Sequence, residues 1–447
     1  MRQQSAFPSR ASKAALAEAR EMHDGGSATL EQTAEAAMSE NDVDLVPIGS
    51  QPALGVVPRR MHAWVVRKDR YGEPLASFRE EVVDTPRPGP NEALVLSMAA
   101  GVNYNGVWAG LGKPVSVLDV HKHPFHIAGS DCAGIVWAVG AAVKRWKAGD
   151  EVVLHCNQTC GECPACNGYD PMGCESQKIW GYETPYGSFA QFTLAQSQQL
   201  MPKSVSMSWE GAASYALDLC TAYRMLVDRA NLKPGETVLV WGGAGGLGTF
   251  ACQIARMLGA IPIAVVSSPE KAELALRFGA AATLNRNDFP GLACAPNETT
   301  EQKKTRLEAA KAFGKAFMKA AGTHRGPDVV LEHPGRETFP TSVFLAARMG
   351  RIVICAGTSG FDLTFDVRHL WMRQKQILGS HFAHAEQCWR ANDLVLKGTI
   401  KPSMTEVYCY GDIPRAHDDM LNNRHMGKLS CLVSAPRKGQ KTRSESL

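Results

Sequence analysis

Two periodicities divide the chain. From Met61 to Leu154 the apolar residues fall in short runs, MHAWVV, EALVLSMAAGVN, GSDCAGIVWAVG and GDEVVL, punctuated by glycine, proline and aspartate. Apolar runs of this length bounded by turn formers predict strands, and so a β-rich, loop-rich domain. After Ser208 the spacing becomes helical: WEGAASYALDLCTAYRMLVDRA follows a serine N-cap with Glu210 close behind. Strands and helices then alternate through ETVLVWGG, a helix from Gly246 through Leu258, IPIAVVSS, a helix through Phe278, PDVVLEH and RIVICAG. Such alternation predicts a doubly wound parallel sheet with helices on both faces. The charged stretch Asn297 to Thr323 reads as an insertion or an elongated crossover helix, and TEVYCY and KLSCLVS read as strands again. The expected division is a polar tail over 1–45, a β-rich domain over 46–208 completed by 401–447, and a parallel-sheet domain over 209–400.

Length and composition narrow the class. A chain of 447 residues exceeds one ordinary core, and 45% apolar residues suit a globular protein. Net charge is +4 with no long basic block, so nothing points to nucleic acid as a partner. The N-terminus lacks the apolar core of a secretory signal. The longest apolar region, Val238 to Val266, is broken by glycines, Arg256 and a proline, so no membrane span is expected and a cytoplasmic location is. Thirteen cysteines in that setting read as thiols or metal ligands, not a disulfide framework.

The strand VLVW runs into Gly243, Ala244, Gly245, Gly246, Leu247 and Gly248, a G-x-G-x-x-G that opens a helix. Small residues there let the backbone approach a pyrophosphate, and the helix N-terminus offers free N–H groups, as in a Rossmann-type dinucleotide site. Nineteen residues beyond Gly248 stand Ser267 and Ser268, where an NAD site places a carboxylate for the ribose hydroxyls. Ser267, Ser268 and Lys271 suit a 2′-phosphate instead, which favours NADPH.

Cys160, Cys163, Cys166 and Cys174 have C-x2-C-x2-C-x7-C spacing, which suits a tetrahedral zinc. Four thiolates leave no open coordination position, so the zinc would be structural; the segment resembles the structural zinc lobe of zinc-dependent alcohol dehydrogenases. Alcohol-oxidising relatives also present an early cysteine and a Gly-His-Glu segment, where this chain reads VNYNGVW and AGSDCAG. No catalytic metal site is therefore expected.

From about Leu45 onward the segments LGVVPRRMHAW, VNYNGVW, HIAGSDCAG, QKIWGYETPYGSFAQF and LWMRQKQILGSHFAH resemble the crotonyl-CoA carboxylase/reductase family. The four-cysteine lobe departs from that family's pattern. The resemblance implies a GroES-like catalytic domain beside the Rossmann-type one, and a homotetramer. It implies reductive carboxylation: NADPH reduces an enoyl-CoA thioester and the resulting enolate captures CO2, giving ethylmalonyl-CoA from crotonyl-CoA. Carried over by position, the CO2 pocket falls on Asn105, Tyr182, Glu183 and His381, with tyrosine where relatives have phenylalanine. An amide suits an uncharged, weakly binding molecule, Glu183 and His381 could fix the amide or a water, and an aromatic ring excludes proton donors. Arg368, Arg373 and Lys375 are candidates for the nucleotide end of the thioester. The rivals are an enoyl-thioester reductase that protonates the enolate, a carboxylase/reductase for longer acyl chains, a zinc-type alcohol dehydrogenase, and a non-enzymatic cofactor sensor.

Overall fold

The computed structural model describes residues 43–446, so the expected tail over 1–45 lies outside them except for 43–45. Strand Glu92–Gly101 is buried at every position after Glu92 and forms the spine of a seven-stranded sheet. It pairs antiparallel with Asp131–Val139 on one edge. Its other edge pairs with Phe192–Gln196 at the start and Lys428–Leu432 at the end. Glu151–Leu154 and Leu200–Pro202 extend the sheet one way, and Met404–Tyr408 the other. Arg60–Val66 belongs to a separate three-stranded sheet with Arg79–Asp84 and His126–Ile127. The last strands thus return across the sequence to the first large sheet, as TEVYCY and KLSCLVS suggested.

The second sheet is six-stranded and parallel throughout, in the order Ala282–Asn285, Ile261–Val266, Thr237–Val240, Val329–Glu332, Arg351–Ile354, Gln376–Gly379. Strand order reverses between Thr237–Val240 and Val329–Glu332, and the carboxyl ends of strands flanking such a switch open a crevice. Alternation along the central strands assigns each face. Leu239, Trp241, Ile263, Val330 and Ile352 pack under Phe313 and Phe317, while Val238, Val240, Ala264 and Leu331 join the core that also contains Phe250 and the first sheet. Phe313 and Phe317 lie on Thr300–Ala321, capped by Thr299 and Gln302 in a reciprocal box. The charged stretch is therefore a crossover helix, and the Phe313 ring stacks on Trp241 at 5.5 Å.

The helical pattern behind Ser208 does not form one helix. It gives Trp209–Ala212, Ala216–Tyr223 and a π-helical Arg224–Arg229. A tertiary contact starts the second piece, because the buried Asp131 carboxylate accepts the Leu217 N–H at 2.7 Å. Local sequence contains no sign of that partner. Among the described residues no helix is long and apolar enough to cross a membrane.

Candidate active site

A cleft of about 670 Å3 runs between the two sheets, past the switch point. Its nucleotide end is made largely of backbone. Gly245, Gly246, Leu247 and Gly248 line it. Gly246 opens the helix Gly246–Met257, whose N-cap Gly245 has no side chain to satisfy the first-turn N–H groups. Those donors and the positive end of the helix dipole suit a pyrophosphate. Gly243 lies beneath the loop, where a Cβ would come within 2.4 Å of Ala264 Cβ; at Gly248 a Cβ would come within 2.3 Å of the Gly242 carbonyl oxygen. The glycines therefore permit a tight strand-to-helix turn as well as close ligand approach.

Ser267 and Lys271 line the far end of the cleft. Ser268 has another task, its Oγ capping the Pro269–Arg277 helix by accepting the Lys271 N–H at 3.3 Å. Arg286, on the turn after strand Ala282–Asn285, lines the same end. Burial lowers the Lys271 pKa, and the neighbouring Arg286 charge lowers it further. Two cations that repel one another at the end of a nucleotide cleft match a dianionic 2′-phosphate.

The opposite end is made of side chains from segments distant in sequence. Helix Tyr104–Leu111 presents Tyr104, Asn105 and Trp108 to the cleft. Gly106 on that helix lets it approach His417, whose Nε2 would lie 2.3 Å from a Cβ. The Asn105 side-chain nitrogen is buried and makes no hydrogen bond among the described residues. Tyr182 also lines the cleft, with its hydroxyl donating to the Lys113 carbonyl at 3.1 Å. Burial pushes the phenol pKa up to about 12, with the Glu183 charge adding to the shift.

The local motif explains the placement of Tyr182. Gly181 takes φ +71 with its Cβ position pressed against the Gly129 carbonyl, a place only glycine fills without strain. Thr184 Oγ1 accepts the Gly181 N–H, and the Glu183 carboxylate accepts the Ile179 N–H at 2.7 Å. Glu183 is thus a turn-capping group that does not line the cleft, unlike Asn105, Tyr182 and His381. His381 stays solvent-accessible at the wall. Its surroundings nevertheless desolvate it, and with the Arg224 charge they lower its pKa, which favours the neutral imidazole. Phe382 beside it has φ +42, a strained conformation for an aromatic residue.

Lys428 joins the two ends. Its buried ammonium donates to Asp218 Oδ2 at 2.9 Å, Asp131 Oδ2 at 3.2 Å and the Asn103 side-chain oxygen. Asn103 in turn donates to Asp131 at 2.9 Å. Burial pushes the Asp131 carboxyl up against the pull of Lys428, while Asp218 and Asp131 hold the ammonium above the ordinary lysine range against burial. With two carboxylates on one ammonium, the proton belongs on the lysine. The segments VNYNGVW and AGSDCAG, expected to lack metal ligands, therefore converge on an ammonium ion.

The four cysteine sulfurs lie within 4.8 Å of one another. Cys160 to Cys166 is 3.9 Å, Cys163 to Cys166 3.6 Å and Cys174 to Cys160 3.6 Å. Four sulfurs around a tetrahedral zinc at about 2.3 Å would be separated by about 3.8 Å. The Glu162 and Cys163 N–H groups point at Cys160 Sγ and hold its thiol pKa down at about 6. The set fits a zinc ion.

Residues 89–205 match the model of the alcohol dehydrogenase GroES-like domain, and residues 246–397 that of the zinc-binding dehydrogenase. The crotonyl-CoA carboxylase/reductase of Cereibacter sphaeroides is 51% identical over 90% of this chain and 95% of its own length. The chain belongs to the crotonyl-CoA carboxylase/reductase family. A solved crotonyl-CoA carboxylase/reductase has a TM-score of 0.84 at 49% identity, covering 91% of this chain and 96% of its own. The 2-octenoyl-CoA carboxylase reductase CinF, solved with NADP and 2-octenoyl-CoA, has a TM-score of 0.82 at 36% identity, covering 87% and 91%. The family resemblance and the pairing of a Rossmann-type sheet with a GroES-like domain are both borne out.

Within this carboxylase/reductase fold, two cleft residues escaped the sequence reading. Arg286 follows Ala282–Asn285, the edge strand that pairs with Ile261–Val266, and so comes beside the ribose end from a different strand. Lys428 sits on a strand remote from every motif, and only the topology brings it to the glycine loop. Of the thioester candidates, Lys375 is buried with its ammonium on the Val343 and Phe344 carbonyls at 2.6 and 3.1 Å, where it caps the Phe339–Leu345 helix. Arg368 is exposed and paired with Asp366, and Arg373 is exposed.

Proposed function

We propose that this chain is an NADPH-dependent enoyl-CoA carboxylase/reductase whose simplest substrate is crotonyl-CoA, with ethylmalonyl-CoA as product. The observation that carries the proposal is the buried amide nitrogen of Asn105, without a hydrogen-bond partner among the described residues, in the same cleft as the glycine loop. NADPH, when bound, supplies hydride to the β-carbon of the enoyl thioester, and the electron pair displaced to the α-carbon forms the new bond to the carbon of CO2.

The chain's own residues hold the nucleotide and decide the fate of that electron pair. Gly245, Gly246, Leu247 and Gly248 would hold the pyrophosphate, and Ser267, Lys271 and Arg286 the 2′-phosphate. The Asn105 amide donates to one oxygen of CO2 and offers no acidic proton to a carbanion. The rings of Tyr182 and Phe382 narrow the approach of water. A neutral His381 removes the strongest nearby acid, since an imidazolium at that wall would protonate the enolate and yield the saturated thioester. Glu183 acts at one remove, holding the turn that presents Tyr182. The cysteine tetrad holds a structural zinc, and the protein assembles as a homotetramer.

The test is NADPH oxidation with crotonyl-CoA, with and without bicarbonate, followed by product mass. Incorporation of inorganic carbon at the expense of butyryl-CoA is expected. A saturated product of unchanged carbon number under both conditions removes carboxylation and leaves a reductase.

A further inference from the structure

The cysteine lobe is not an isolated appendage. Asp170 stands midway between Cys166 and Cys174 and caps the short turn Pro171–Gly173 by accepting the Met172 N–H at 3.1 Å. Its carboxylate also receives both ends of the Arg224 guanidinium, Nη2 at 2.5 Å and Nη1 at 3.3 Å. Arg224 is buried and begins the π-helical Arg224–Arg229, one turn beyond Thr221 of the cleft lining. A π-helical turn displaces side chains from their ordinary helical register, which is why such turns accompany functional sites.

The contact continues beyond the arginine. Arg224 Nη1 donates to Gln387 Oε1 at 3.2 Å, and the same oxygen accepts the His384 N–H at 3.1 Å. Gln387 is buried and forms a reciprocal box with His384 at the start of helix Ala385–Leu396. The residues entering that helix are His381 and Phe382, which line the cleft. Their rings are 4.4 Å apart, and Phe382 keeps φ +42. A strained backbone persists only where its surroundings over-determine it, and the capped first turn begins at His384, two residues beyond Phe382. Arg229 adds a second tie, its Nε donating to the Gly379 carbonyl at 2.8 Å.

We propose that the cysteine lobe sets the position of the His381–Phe382 wall through Asp170, Arg224 and Gln387, making Asp170 and Arg224 positioning residues for the partition of the enolate between CO2 and a proton. The proposal rests on the carboxylase reading above for its consequence, and on geometry alone for the coupling. Neither Asp170 nor Arg224 lines the cleft, so NADPH affinity is expected to stay at the wild-type value when the coupling is cut.

The experiment compares the full chain with Asp170→Asn, which keeps the side-chain volume and removes the charge, and with Arg224→Lys, which keeps the charge and removes the fork. Asp170 is the safer site because its side chain is 35% exposed against 7% for Arg224. Hydrogen exchange of peptides spanning 381–388 is measured against the spine strand 92–101, with NADPH affinity and the ratio of ethylmalonyl-CoA to butyryl-CoA. Asp170→Asn is expected to speed exchange at the first turn of the helix about tenfold, leave the spine and NADPH binding unchanged, and lower the carboxylated fraction. Wild-type exchange over 381–388 in Asp170→Asn overturns the coupling. Faster exchange with an unchanged product ratio overturns the role in partition. Should the unmodified enzyme itself fail to carboxylate, the reading of its function falls, and the exchange measurement still decides the coupling.

Discussion

The two ends of the cleft are built by different means. At the nucleotide end the binding surface is main chain, a glycine turn and helix N-terminus, with Lys271 and Arg286 added for charge. At the acyl end it is side chains, Asn105, Tyr182, His381 and Phe382, brought in from one helix and two separate loops. The first end is contiguous in sequence and defined by steric limits. The second exists only after the chain has folded, and each member depends on partners behind it: Gly106 against His417, Gly181 against Gly129, Gln387 against Arg224. Binding an invariant cofactor needs a fixed cradle, whereas steering a reactive carbanion needs an environment that can be tuned one side chain at a time.

Substitutions sharpen that contrast. The largest effect is expected where the ends meet: Lys428→Met leaves Asp131 and Asp218 without their shared cation, and breaking a buried ion pair in this way costs about 3–5 kcal/mol. Chemical denaturation measures it, and a loss below about 1 kcal/mol would mean that the ammonium does not hold the junction.

Gly248→Ala strikes the nucleotide end alone. Its Cβ would press on the Gly242 carbonyl, and NADPH affinity by fluorescence titration is expected to fall about 100-fold, or about 2.7 kcal/mol. Binding within a factor of three of wild type would show that the turn tolerates a side chain.

Acidity probes the scaffold beneath that end. Glu332 closes strand Val329–Glu332, is fully buried, and accepts from Thr338 and Ser342 at 2.6 and 2.5 Å. Burial, only partly opposed by those donors, raises its pKa to about 7. The folded state then holds the proton more tightly than the unfolded chain. Its stabilising contribution is complete below the ordinary carboxyl pKa and is lost as pH climbs to about 7, with an amplitude of about 3 kcal/mol. Glu332→Gln is expected to flatten the melting temperature between pH 5 and pH 8, and an unchanged slope assigns that titration elsewhere.

The smallest effect in free energy is the most specific. Asn105→Ala removes one hydrogen bond at the acyl end, and the carboxylated fraction is expected to drop about tenfold, or about 1.4 kcal/mol, while NADPH affinity holds. Equal loss of both would show the two ends to be one site.

The same contrast explains what the sequence disclosed. The glycine loop and the cysteine tetrad were legible because their members are neighbours at spacings dictated by a pyrophosphate and a tetrahedral ion. The parallel sheet was legible from alternating periodicities. The break in the helix after Ser208 was not, because Asp131, far away in sequence, supplies the cap for Leu217. Lys375 was a reasonable candidate for a phosphate as a charge near a family motif; folding turns it inward to two carbonyls. Arg286 and Lys428 show no local pattern, since each becomes a cleft residue only through strand order.

Strand Lys428–Leu432 pairs beside Glu92–Gly101, more than three hundred positions earlier. During synthesis, the chain must therefore leave the ribosome as far as Lys428 before the ammonium can reach its two carboxylates. A nascent chain stalled ahead of that strand would already own its glycine turn yet lack the junction, with the end of Glu92–Gly101 left as an open sheet edge.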